Sequence, residues 1–385
     1  VSQRILIVGG GLAGLIAARL LHQAGIGFKL LEARDRLGGR IVSVDAAGVP
    51  SNDGFDLGPS WFWPGMQPAM ARLVDDLGLA CFEQNSDGDV IFQRMAQEPP
   101  QRYRGMRQEP QSVRLVGGTS AIIAALAAGL PAETIRLGAQ VTHVSLDAKG
   151  VIVQYLIASG STVREQASHV LFALPPRLIG ARILFSPALE FATLERWQRT
   201  PTWMAPHAKF FALYDRPFWR AAGLSGTAQS MAGPLAEIHD ATTASGNAAL
   251  FGFVGAPATE RAATGRDAII AAALKQLAQL FGPEASSPRA TLFKDWADDP
   301  LTATADDRQA GGHPDPEPRP WVNGKWADYV SLAGSETSIT EPGYLAGAVE
   351  AATRITNELV TRFNHSGRHG FTPPSRRING IGPGR

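Results

Sequence analysis

Two hydrophobic periods alternate along this chain, starting at its first residues. Arg4 leads an unbroken apolar run to Val8, which reads as a strand. Leu12, Leu15, Ile16 and Leu20 then recur at helical spacing until Gly25 ends the helix. A second apolar run, Phe28 to Leu31, closes on Glu32, so the first forty residues predict a strand-helix-strand unit. Farther along, helices are expected over residues 67–78, with Met70, Leu73, Val74 and Leu77 on one face, and over 121–130, 267–281 and 343–363. Strands are expected over 141–146, 151–157 and 167–174, as a small antiparallel excursion that returns to the first sheet. Another short strand runs from Tyr329 into Ala333 and Gly334. No sustained period covers 85–109, and the acidic, proline-rich stretch 298–320 reads as an extended loop.

This order predicts an α/β fold: a Rossmann-like domain built from segments 1–75, 112–178 and 322–365, with an α+β domain inserted as 76–111 and 179–321. Between Phe185 and Trp219 the second domain carries Phe191, Trp197, Trp203, Phe210, Phe211, Tyr214 and Phe218. Most of these are expected as core, with enough apolar surface left to lid a ligand. At 385 residues and 44% hydrophobic content the chain can support two such cores. The glycine- and proline-rich, basic residues 366–385 read as a flexible tail.

Charge and cysteine usage narrow the class. With 36 basic against 35 acidic residues there is no electrostatic case for nucleic acid. One cysteine, Cys81, excludes an intramolecular disulfide framework and fits a reducing, cytoplasmic setting; its place just past a helix suggests a buried structural thiol. No apolar stretch is long enough to span a bilayer, no signal peptide is visible before the first strand, and no membrane partner is expected. The eight histidines show no HExxH spacing, and neither CxxC nor GxSxG occurs, so no metal site is expected.

Chemistry is concentrated at the two ends. Gly9, Gly11 and Gly14 form a GxGxxG turn between strand and helix, which brings a pyrophosphate against the backbone at a helix N-terminus. Glu32, at the end of the second strand, is placed to accept both ribose hydroxyls and would repel a 2′-phosphate, which leaves NAD or FAD. The run Glu32-Ala33-Arg34-Asp35-Arg36-Leu37-Gly38-Gly39-Arg40 allows a second close backbone approach and a fixed charge near the diphosphate. This pattern resembles the amine-oxidase and phytoene-desaturase superfamily of FAD enzymes. Far downstream, Leu332-Ala333-Gly334-Ser335-Glu336-Thr337, followed by Pro342-Gly343-Tyr344-Leu345-Ala346-Gly347, resembles the signature of the flavin amine oxidases.

The resemblance extends to Leu57-Gly58-Pro59-Ser60-Trp61, to Phe172-Ala173-Leu174-Pro175-Pro176, to His207-Ala208-Lys209-Phe210 with Pro217-Phe218-Trp219, and to Trp296. It implies non-covalent FAD contacted by those segments and by Val141, with the helix after Gly343 facing the flavin. It also implies an amine substrate, O2 as acceptor and hydrogen peroxide as product, with a homodimer as one assembly. Lys209 is the implied catalytic residue, holding a water at flavin N5. Tyr344 matches one of two rings that flank the amine, while Trp61, His207 and Trp321 or Trp326 are the other candidates for the substrate wall. A desaturase acting on a C–C bond, a non-catalytic FAD-binding protein and an NAD-dependent reductase stand beside this reading.

Overall fold

The computed structural model describes residues 4–148, 150–309 and 311–368. At its centre is a five-stranded, all-parallel sheet in the order Val330–Leu332, His169–Phe172, Arg4–Val8, Gly27–Leu31, Ile135–Arg136. Period-two geometry divides its apolar run between two cores. Ile5 and Ile7 face the helices, where Leu15, Ile16 and Leu21 of helix Leu12–Gln23 pack with Val349, Ala352 and Leu359 of the last helix. Leu6 and Val8 face the other way, onto Val144, Val151 and Val153 of a four-stranded sheet.

The run expected as one strand over 167–174 is divided between these two sheets. Thr162–Ala167 pairs antiparallel with Gly150–Leu156, and after Ser168 the chain enters the parallel sheet as His169–Phe172. Apolar content alone does not register that change of sheet. The last helix runs Leu345–Arg368, so residues 366–368 extend it, and the rest of the expected tail lies outside the described residues.

A second, seven-stranded sheet has the order Ala290–Asp295, Ala208–Tyr214, Ala248–Val254, Leu235–Asp240, Leu224–Ser230, Asp89–Gln93, Gln101–Tyr103. Its last two strands come from the stretch 85–109 that shows no period. Gln101–Tyr103 is an edge strand with all three residues exposed, so no alternation marks it. Helix Arg266–Phe281 covers one face through Ile269, Ala273 and Leu277, and the predicted core aromatics Phe210, Tyr214 and Phe218 lie there beside Trp219. Cys81 departs from its expected burial: it is exposed on strand Cys81–Glu83, whose partner strand Val113–Leu115 covers its edge but not its face. Among the described residues no helix is long and apolar enough to cross a membrane.

Candidate active site

The two sheets meet along a cavity of about 380 Å³, in the size range of a small-molecule site. One end is the glycine turn. A Cβ on Gly14 would stand 1.9 Å from the Gly9 carbonyl oxygen, so only glycine lets helix and turn close together. The helix opens at Gly11 with no side-chain cap and no acidic residue in its first turn, leaving its N-terminal N–H groups for an anion. Glu32, buried at the end of Gly27–Leu31, is held by the N–H of Gly10 at 2.6 Å and of Arg34 at 2.8 Å. A carboxylate fixed beside an uncapped helix start, both lining one cavity, fits the ribose and diphosphate of a dinucleotide.

Arg40 joins the chain ends. Its guanidinium donates to Glu336 at 2.7 Å, to the Trp203 carbonyl at 2.8 Å and to Ser335 Oγ at 3.2 Å, and Glu336 is fully buried. Arg34 is committed otherwise: it forks onto Asp299 with both contacts at 3.0 Å and reaches Thr302 Oγ1. Burial raises the Asp299 carboxyl, but Arg34 and Lys294 outweigh it and hold the group below the usual range.

The other end is a sheet face. Lys209, Phe253 and Glu237 are directly opposed across three neighbouring antiparallel strands, so their side chains share one face, and all three line the cavity. Lys209 is fully buried, and its ammonium donates to the carbonyls of Asp56 at 2.9 Å and Gly58 at 2.8 Å and to Ser60 Oγ at 3.0 Å. Burial pushes its pKa down to about 7; Asp56 opposes this and Arg114 adds to it. With all three N–H groups engaged, Lys209 braces the segment 56–60 and has no donor left for the expected water. Glu237 stands half-exposed at the mouth, paired with His239 at 2.6 Å, which holds its carboxyl below the usual range.

Of the site residues expected from sequence, all but Gly14, His207, Trp296, Trp321, Trp326 and Glu336 line this cavity among the described residues. Gly14 and Glu336 support it as above. Trp296 lies behind it, with Nε1 donating to the Leu57 carbonyl at 2.9 Å and its ring against Gly58. His207 is one layer back, because its strand begins only at Ala208; its ring packs edge-on against Trp203 at 4.7 Å, and burial lowers its pKa. The expectation for Trp321 is corrected: the ring lies under Arg196, 3.8 Å from the guanidinium, within the aromatic cluster of Trp197 and Trp326, and does not reach the cavity. Trp326 is buried in the same cluster.

The stacking partner of Tyr344 is a residue that aromatic content alone does not reveal. His313 stacks on Tyr344 with centroids 4.1 Å apart and planes 9° apart, and on Trp203 at 3.7 Å and 24°. Trp203 stands in the aromatic-rich run read mainly as core, and His313 in the acidic, proline-rich stretch read as an extended loop. The glycines before it give no signal: a Cβ on Gly312 would meet nothing within 4 Å, and one on Gly311 only the Pro201 side chain at 3.6 Å.

A family model described as flavin containing amine oxidoreductase matches residues 12–108 and 93–360. A Dictyostelium discoideum protein named as a probable flavin-containing monoamine oxidase A is 25% identical over 470 aligned positions, covering 94% of this chain and 98% of that one. Putrescine oxidase, solved with putrescine bound, superposes with a TM-score of 0.77 at 22% identity over 94% of this chain and 100% of its own. Cyclohexylamine oxidase from Brevibacterium oxydans IH-35A gives a TM-score of 0.77 at 19% identity, over 94% and 100% of the two chains.

Proposed function

The chain belongs to the flavin-containing amine oxidoreductases, and from that premise we propose that it oxidises a small amine to an imine, using non-covalently held FAD and passing the electrons to O2 as hydrogen peroxide. The observation that carries this reading is a single cavity that runs from an uncapped helix start and Glu32 to a wall of Trp61, Trp203, Phe253 and Tyr344. Bound flavin supplies the two-electron oxidation of the amine's α-carbon.

The protein's own contribution is placement and exclusion of water. Gly9, Gly11, Glu32 and Arg40 would hold the nucleotide, and Gly334 and Ser335 the far side of the same cavity. Lys209 is a positioning residue: by fixing the carbonyls of Asp56 and Gly58 it sets the floor on which Ser60 and Trp61 stand. Trp61 is itself anchored, Nε1 to Gln84 Oε1 at 2.8 Å and its ring against Phe251 and His239. Such a wall admits an uncharged amine with an apolar substituent and strengthens polar contacts inside by excluding water. Glu237 at the mouth attracts the cationic form of the amine from solvent. The lone cysteine lies on a strand outside the cavity lining, which supports non-covalent flavin and fits a cytoplasmic setting.

Denaturation of purified protein should release free FAD, and anaerobic mixing with a panel of amines should bleach the flavin. Air should then restore the colour with peroxide release. Colourless protein, or flavin that no amine reduces, would refute the proposal.

A further inference from the structure

Among the described residues His313 is the one imidazole that lines the cavity. Both faces of its ring are covered, by Trp203 and by Tyr344, so only the ring edge can meet a ligand. On that edge Nδ1 lies 3.1 Å from the Pro342 carbonyl. A carbonyl has no proton to give, so Nδ1 carries the hydrogen and Nε2 keeps its lone pair. Among the described residues this Nε2 has no hydrogen-bond partner, and it is not sealed in the interior as Nε2 of His207 is. Gly343 maintains the arrangement: its φ is +87°, and a Cβ there would stand 2.9 Å from Trp203 Cβ and 3.0 Å from His313 Nδ1.

We propose that His313 Nε2 takes the proton from the substrate's ammonium group, so that the amine is neutral when it is oxidised. This rests on the amine reading above. An alkylammonium has a pKa near that of lysine, so at pH 7 only about one molecule in two thousand is neutral. Its nitrogen has no lone pair to assist loss of the α-hydrogen. In the transfer an ammonium N–H bond breaks, an Nε2–H bond forms, and no electrons change centre; the imidazolium then releases its proton to water at the mouth.

The surroundings suit both states of the ring. Burial lowers its pKa first, opposed by the Pro342 carbonyl on Nδ1 and by Glu336, so the ring is neutral at pH 7 and holds an accepted proton only in passing. Once protonated it lies between two π faces that favour a cation. The other titratable groups around it are engaged: Glu336 with Arg40, Glu341 with Gln67 Nε2, and His207 sealed behind Trp203.

The test compares FAD-loaded wild type with His313→Phe, which keeps a ring in the stack, by anaerobic stopped-flow bleaching across pH. Two amines are used: a strongly basic alkylamine and a fluorinated alkylamine already neutral at pH 7. For the alkylamine at pH 7 the variant should be about 100-fold slower, with the gap closing toward pH 10, while the fluorinated amine should reduce both proteins at rates within about threefold. His313→Gln should repeat this pattern, and stands in if the phenylalanine variant fails to load FAD. Equal rates in variant and wild type, or equal slowing for both amines at every pH, would overturn the proposal and leave the amine reading intact. Failure of every amine to bleach wild type would overturn both.

Discussion

Removal of Arg40 should expose how strongly the two ends of the chain depend on one ion pair. Arg40→Met leaves the carboxylate of Glu336 fully buried, with the Ser335 hydroxyl at 3.1 Å as its remaining side-chain partner. Stranding one member of a buried pair costs about 3–5 kcal/mol; because the Arg40 side chain is 22% exposed, the lower end of about 3 kcal/mol applies. Glu336→Gln removes the charge and retains an acceptor for the guanidinium, at about 1 kcal/mol. The double variant leaves no unpaired charge and should recover much of the loss of the single arginine variant. Unfolding entropy scales to about 0.8 kcal/mol/K for a chain of 385 residues, so Arg40→Met should lower Tm by about 4 °C. Thermal unfolding of the apoprotein, read by tryptophan fluorescence, compares all three variants without any contribution from altered FAD affinity. A Tm for Arg40→Met within about 1 °C of wild type, or a double variant no more stable than Arg40→Met, would refute the argument.

Three further outcomes are expected. Gly14→Ala forces a methyl into the Gly9 carbonyl and should weaken FAD binding by about 10-fold or more, as read by titration of apoprotein; unchanged affinity would mean the turn can give way. Lys209 titrates near pH 7 in the folded protein and near 10.5 unfolded, so between those values the unfolded state binds more protons and stability rises with pH, by about 4 kcal/mol at most. Lys209→Met should abolish that rise in urea unfolding at pH 7 and pH 9.5; equal pH dependence in both proteins would remove the buried lysine as its source. Trp321→Ala should lower stability by about 2–3 kcal/mol through lost packing under Arg196 while leaving the KM for amine unchanged; a raised KM would return Trp321 to the substrate wall.

Legibility of the site followed the range of the interactions that build it. The glycine turn, Glu32 and the run to Arg40 lie in one strand-helix-strand unit, so their spacing alone placed them together, while Arg40's partners Trp203, Ser335 and Glu336 came only with the fold. Lys209 was legible as a special residue, but its partners lie about 150 positions away, and only the fold revealed that they consume all its donors. His313 was hidden for a similar reason: a histidine in a polar, proline-rich loop has no period, and its meaning comes from the two rings it meets. Trp321 erred in the opposite sense, an aromatic in about the right stretch that the chain turns into a core.

The linear pattern of this chain determined that a parallel sheet would form, that a glycine turn and Glu32 would stand together at it, and that segments near both ends of the chain would line one cavity. Those outcomes depend on backbone geometry and short-range spacing, which travel with the sequence. Which rings line the cavity, which donors stay free, and which strand runs into which sheet were decided only in three dimensions. The contacts that settle them join residues far apart in the chain, and burial, not proximity in sequence, determines which of those contacts form.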